Sequence, residues 1–413
     1  MDLIGWLLNQ SHPLKTYCAG RDDRFRIAGV GSAYTITSKA GDLDALFSQL
    51  DPILQGSDER VRFYGGIKFD FNTAISGPWQ PFGRYHFTVP RFEFVRRAEE
   101  TFFAVNIIRN PDGGMEDPDD IQAQLEQIDW SGPLPEADLP RYIEAVRNPD
   151  KDAWVRHVER ALDLIGNGTL QKIVLSGQLD LRFQEPINPG LLFRKLIGQN
   201  SNSFHFYFQT GATNAFMGIT PERLYRREGR NIKTEAIAGT RPRGTDDESD
   251  AALARELQTT DKDLREHRWV SDILRNGLEP LCKDVEIPDR ERIIKLRHVQ
   301  HLQTLFSGHL KDNINDSDIL SRLHPTPAVG GHPGDTAVKY ISEIENYDRG
   351  WYAGPVGWIG RDVTGFAVGI RSGLVNGKSL TLYAGSGIVE GSDPLREWDE
   401  NQTKLLNFTK LFQ

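Results

Sequence analysis

The chain has 413 residues, of which 38% are hydrophobic, 26% charged and 10% aromatic, the balance of a globular protein with a sizeable core and not of a disordered one. Its formal net charge of -9 argues against a broad nucleic-acid or anionic-membrane surface, yet leaves room for a small anion held by a few placed cations. The only cysteines, Cys18 and Cys282, are too few for a disulfide framework or a cysteine zinc site, which fits a reducing cytoplasm. No apolar run reaches membrane-spanning length, and the apolar patch at the start lacks the basic residues of a signal peptide.

There is no internal repeat of fixed period and no low-complexity tract. Strand-forming composition marks RFRIAGVGSAYTIT (24–37), VRFYGGIKFDF (61–71) and HFTVPRFEFVRR (86–97). Two acidic, turn-rich stretches, 111–120 and 131–140, then read as a surface excursion. They suggest an N-terminal part over 1–148 and a second region over 149–413, built as one structural unit. Residues 140–168 have helical spacing and stop at a glycine-rich turn before the strand-like QKIVLSGQLDLRF (171–183). Further strands are expected at 203–210, 214–219, 365–375 and 379–385, with long helices over 248–278 and 393–412. Strands come in adjacent pairs without strict strand–helix alternation, so the pattern favours α+β over a doubly wound parallel sheet.

Several side chains could carry chemistry. Lys172 opens the polar face of its strand, since Ile173, Leu175, Gly177, Leu179 and Leu181 make the apolar one; a lysine there is ordinarily solvated. Asp263 and Glu266 extend an apolar helical stripe through Val270 and Ile273, which calls for a bound cation or for local ion pairs to Lys262, Arg265 or Arg268. Glu397 and Glu400 form a second pair at i, i+3, readable as magnesium ligands or as an exposed acidic first turn favoured by the helix dipole. Arg371 shares a strand face with Ala367, Gly369 and Gly373, small neighbours that leave space for a carboxylate beside the guanidinium or simply for packing. The glycines of AGT (238–240) and AGSG (384–387) could offer backbone N–H groups to an anion, a weak signal alone. His298 and His301 lack the glutamate of a zinc HExxH pattern, no phosphate-binding glycine loop is present, and Ser386 does not sit in a nucleophile elbow.

KIVLSG, FMGITPERL, TEAIAGTRPRG, KDLREH, LHPTPAVGG, WYAGPVGW, GIRSG and YAGSGIVEGSDPLREWDE follow one another in an order that resembles the chorismate-utilising enzymes, over roughly residues 150–413. In the first third only YGGIKFDF and PRFEF align. The resemblance implies an α+β fold of two packed, mainly antiparallel β-sheets sandwiched between helices. It also implies magnesium held directly by Glu266 and Glu400, with Asp263 and Glu397 beside them. Arg371 and Tyr352 match positions that bind the enolpyruvyl carboxylate; Gly239, Thr240, Gly385 and Gly387 match a backbone cradle, and His324 lies in the motif alongside the ring.

Within that family, water-using members carry a lysine where Lys172 stands, and Ala238 replaces the lysine that attacks substrate in aminodeoxychorismate synthases. The resemblance therefore implies an isochorismate synthase, with Lys172 as general base and Glu222 as general acid. For this the lysine must fall from about 10.4 towards roughly 7 to 8, and the glutamate must rise. The phrasing of TEAIAGT and WYAG tilts towards quinone over siderophore supply. A salicylate synthase, an anthranilate-type aminating enzyme and a non-catalytic chorismate-binding relative are the alternatives. No glutaminase partner is expected, and the chain is expected to act as a monomer or homodimer.

Overall fold

The computed structural model describes residues 2–21, 25–109, 114–131, 137–198, 202–296 and 299–412; the side chain of Lys262 and all of His298 lie outside them. Among the described residues, two antiparallel sheets of eleven and ten strands carry the fold. Both draw strands from the N-terminal part and from the rest. In the larger sheet Lys172–Phe183 pairs with Ser379–Ile388, while Phe204–Gly211 lies between Asn214–Thr220 and the N-terminal Lys15–Ala19. The smaller sheet runs through Asn231–Pro242, Arg223–Glu228, Val363–Val368, Pro355–Gly360 and Arg62–Ile67.

Side chains from both sheets meet in one core. Phe206, Phe216 and Leu374 come from the larger sheet, Phe63, Phe87 and Phe366 from the smaller. Trp351 links the layers, its ring 5.3 Å from Phe208 and its indole N–H donating to Gly83 O at 3.0 Å. A second cluster lies under helices Leu3–Asn9, Pro189–Ile197 and Pro394–Thr409 on the other face of the larger sheet. Helices Asp247–Thr259 and Asp261–Leu278 pack on Asn231–Pro242 of the smaller sheet. The expected sandwich of two antiparallel sheets between helices is thus the architecture found.

Short polar side chains start most of the helices. Asp150 and Asp246 accept from N3 backbone N–H groups, and Asp393 caps Leu395 and Arg396 at 3.1 and 2.8 Å, with Pro394 fixing the first turn.

Several boundaries differ from the sequence reading. Residues 142–148 form an exposed edge strand beside Lys172–Phe183, and the helix begins only at Lys151. The helix expected over 248–278 is two, ending at Thr259 and restarting at Asp261, because Thr260 adopts an extended conformation. The segment 24–37 divides into Phe25–Val30 and Tyr34–Ser38 in different sheets, and Pro90 divides 86–97 the same way. Of the two turn-rich stretches, 111–113 and 132–136 lie outside the described residues, and Pro118–Glu126 is a helix.

Candidate active site

Lys172 is 5% exposed, so the solvated reading of this strand-end lysine fails. Its partner strand reaches the Val174–Gly387 pair, and the lysine side chain crosses Gly387: a Cβ there would lie 2.7 Å from Lys172 Cε. The ammonium stands 5.7 Å from the ring centre of Trp269. Burial pushes the amine down from its ordinary range, opposed first by Glu266 and then by Glu222.

Glu222 sits between Asn214–Thr220 and Arg223–Glu228, at the passage from one sheet to the other. Its backbone carbonyl accepts from Val368 N at 3.0 Å, and its carboxylate accepts from the Thr326 hydroxyl at 3.3 Å. The side chain is buried. Burial, followed by the nearby Glu235 charge, pushes its carboxyl up to about 7. Glu235 is held by Arg21, by Gln303 at 2.5 Å and by the backbone N–H of Arg223 at 2.9 Å. The pair therefore departs from ordinary values in opposite directions, amine down and acid up, and each acts electrostatically on the other. Such a pair is suited to exchanging protons with one substrate near neutral pH.

Arg371 does not sit inside a continuous strand as expected. The chain leaves the smaller sheet at Val368 and enters the larger at Ser372, and Arg371 in the connection has φ +48°, a left-handed conformation rare for arginine. Burial pushes its guanidinium down to about 10, countered by Glu400. His301 Nε2 lies 3.5 Å from Arg371 Nη2, while its Nδ1 is 3.2 Å from Gly239 O and 3.0 Å from Thr240 Oγ1. Burial and the Arg371 charge push His301 down to about 3, so the ring is neutral at physiological pH.

Gly239, at φ +70°, is the extra residue of a bulge in Asn231–Pro242, between the Ala238–Leu302 and Thr240–His301 pairs. Glycine supplies that conformation without steric cost, and the bulge re-aims the backbone there. Tyr352 stacks on Tyr383, with centroids 4.9 Å apart, and its hydroxyl would lie 3.0 Å from a Cβ at Gly385. His324 caps the helix Asp316–Leu323 and donates from Nε2 to Phe69 O at 2.9 Å; burial pushes it down to about 4.

Among the described residues, no group of three or more Asp, Glu, His or Cys is gathered closely enough to form a ready metal cage. Asp263 is gripped by Arg241 at 2.6 and 3.2 Å, a partner from another element instead of the local cations considered above. Glu400 pairs with Lys404 at 2.6 Å, its side chain 46% exposed, and this pairing holds its carboxyl low. Glu397, one turn earlier, is pushed up by burial and by Glu400. Glu266 and Glu400, from two different helices, both act electrostatically on Lys172. Such an open set of hard oxygen donors fits magnesium, which takes one or two carboxylates and completes its octahedron with water and substrate oxygens.

Three residues around the site, Glu345, Arg349 and Lys404, carry no signal in the sequence. The buried ion pair Glu345–Arg349 (2.6 Å) accepts from Ser176 N at 2.7 Å through Glu345, and Arg349 donates to Val174 O at 2.8 Å. Arg349 also lies 4.5 Å from the Phe69 ring centre and 5.8 Å from that of Tyr352. The pair thus braces the Lys172 strand, Tyr352 and the Phe69 carbonyl that holds His324. Lys404 donates to Gly385 O at 2.7 Å as well as holding Glu400. Ser386 anchors the C-terminal helix through Asn401 at 2.9 Å.

The family model described as chorismate binding enzyme matches residues 1–413. The isochorismate synthase MenF of Bacillus subtilis is 37% identical over 359 residues, covering 85% of this chain and 74% of that protein. The isochorismate synthase MenF of Pasteurella multocida is 30% identical over 416 residues, covering 100% of this chain and 90% of its own length. The solved menaquinone-specific isochorismate synthase MenF of Escherichia coli superposes with a TM-score of 0.87 at 30% identity, covering 100% of this chain and 92% of that one. A full-length family match, relatives of this identity and a shared fold agree with the motif order read above: the chain belongs to the chorismate-binding enzyme family.

Proposed function

We propose that the chain is an isochorismate synthase, converting chorismate to isochorismate by adding water at C2 and expelling the C4 hydroxyl, and that it serves menaquinone or another quinone in the cytoplasm. The observation that carries this reading is the buried Lys172–Glu222 pair, with the amine depressed and the acid raised. Among the described residues, no helix is long and apolar enough to cross a membrane.

Lys172, as a neutral amine, takes a proton from water as the water oxygen bonds to C2. The ring double bonds shift, the C4–O bond breaks, and Glu222 gives its proton to the departing hydroxyl. The lysine ends protonated and the glutamate ionised. One proton passing back resets them, so the net reaction is an isomerisation. Arg371 and Tyr352 take the enolpyruvyl carboxylate, the former through the planar fork that suits bidentate binding. Neutral His301 orients Arg371 and the bulged Gly239–Thr240 backbone together. Gly385 and Gly387 leave the space beside Tyr352 and Lys172 clear, and His324 borders the ring.

Glu266 and Glu400 would hold magnesium, with Asp263 and Glu397 behind them; when bound, the cation anchors the ring carboxylate and offsets charge developing in the conjugated system. No glutaminase partner is needed, because water is the nucleophile.

The test is incubation with chorismate and magnesium, with and without ammonium, followed by chromatographic product identification. Isochorismate in both arms is the expected result. Salicylate with pyruvate would extend the reaction by one elimination, and an aminated product in the ammonium arm would refute the water-using assignment.

A further inference from the structure

Away from the Lys172 site, strands of both sheets border a concave space of about 520 Å³. Phe25 and Arg97 come from the larger sheet; Arg62, Arg223, Arg226, Lys233 and Trp358 come from the smaller. Glu228 is the only carboxylate lining it among the described residues, and it is taken up by Arg226 at 2.7 Å. Five cations against one carboxylate is a pronounced local excess in a chain whose net charge is -9.

The fold tolerates this cluster at a cost. Arg226 and Lys233 stand directly opposite each other in an antiparallel pair, where like charges destabilise a sheet. Arg62 is 5% exposed, and its Nε is buried without a hydrogen-bond partner among the described residues; Arg97 Nη2 is in the same condition. Burial and the Arg62 charge both push Arg97 down. Glu93 lies behind these two arginines, bonded to Asn106 at 3.0 Å, with its carboxyl pushed up by burial. Phe25 and Trp358 supply an apolar floor, their rings 4.7 Å apart, with the Arg62 guanidinium 5.8 Å from the Phe25 centre.

We propose that this inter-sheet cleft binds a small multivalent oxyanion, a compound with two or more carboxylate or phosphate groups, which bridges the Arg62–Arg97 and Arg226–Lys233 pairs. Such an occupant pairs with the guanidinium and ammonium groups that line the cleft and relieves the like-charge opposition at both ends, whereas a single small anion reaches only one of them. This cleft shares no lining residue with the proposed chorismate site and does not depend on the reaction assigned there.

Isothermal titration of the full chain at low ionic strength and without added metal, using inorganic pyrophosphate and citrate as separate probes, tests the proposal. The expected result is saturable binding of at least one probe at one molecule per chain. It should weaken at least tenfold in Arg97→Ala and in the exposed Lys233→Ala, persist in Arg371→Ala, and leave chorismate turnover by the Lys233→Ala variant unchanged. Absence of saturable binding for both probes overturns the proposal. So does binding that is lost with Arg371→Ala and untouched by Lys233→Ala, because the probe would then occupy the proposed chorismate site.

Discussion

Replacing Glu222 by Gln is expected to abolish turnover while making the protein more stable, and the size of the gain follows from the site. Burial and Glu235 raise this carboxyl from 4.5 to about 7. A group whose proton is held more tightly in the folded than in the unfolded chain costs stability as pH rises from 4.5 through 7, and the full cost is present above 7. A displacement of roughly 2.5 pH units at about 1.36 kcal/mol each amounts to about 3 kcal/mol at pH 8, falling below about 1 kcal/mol at pH 5. The Thr326 hydroxyl that donates to Glu222 can donate equally to the glutamine carbonyl, so the substitution keeps the local hydrogen bond. Urea unfolding of both proteins, followed by tryptophan fluorescence between pH 5 and 8, measures the difference. A gap that does not widen with pH, or a glutamine variant less stable at pH 8, would refute the reasoning.

Gly387→Ala places a methyl 2.7 Å from Lys172 Cε and must displace the amine; kcat should fall on the order of 100-fold, as about 1 Å of misplacement does, while the melting temperature moves little, and steady-state kinetics with calorimetry distinguish the two. Arg349→Met leaves Glu345 buried and unpaired, so unfolding free energy should drop by about 3 to 5 kcal/mol in a denaturant titration; a loss below about 1 kcal/mol would mean the pair does not brace the site. Glu400→Gln removes a proposed magnesium ligand and should raise the magnesium concentration for half-maximal activity at least about 10-fold, whereas an unchanged requirement would place the cation elsewhere.

Much of the architecture could be read from the sequence because its strands alternate or carry β-branched runs and its helices begin at Asp and Pro. The edge strand 142–148 escaped because nearly every one of its residues is exposed, which removes the period-two signal and leaves an accidental helical spacing. Arg371 was placed on a strand because glycine and apolar neighbours look strand-like, and nothing in a one-dimensional pattern announces a left-handed arginine. Lys172 was found on the correct face, but periodicity separates polar from apolar and not buried from solvated. The motif order supplied the thirteen candidate positions, whereas the residues that govern them come from distant chain segments. Thr326 reaches Glu222 across 104 positions, and His301 meets Thr240 only through the register beyond the Gly239 bulge. In the sequence His301 stands out only as an unsuitable zinc ligand. Its role becomes visible once Gly239 and Arg371 are seen on opposite sides of one imidazole.

Turnover of chorismate in ¹⁸O-enriched water, read by mass spectrometry, addresses the paired acid and base most directly. Isochorismate carrying the label at its C2 hydroxyl, with the Lys172→Ala variant forming none, is the predicted result. Unlabelled product, or labelled product formed at full rate without the lysine, would contradict the assignment.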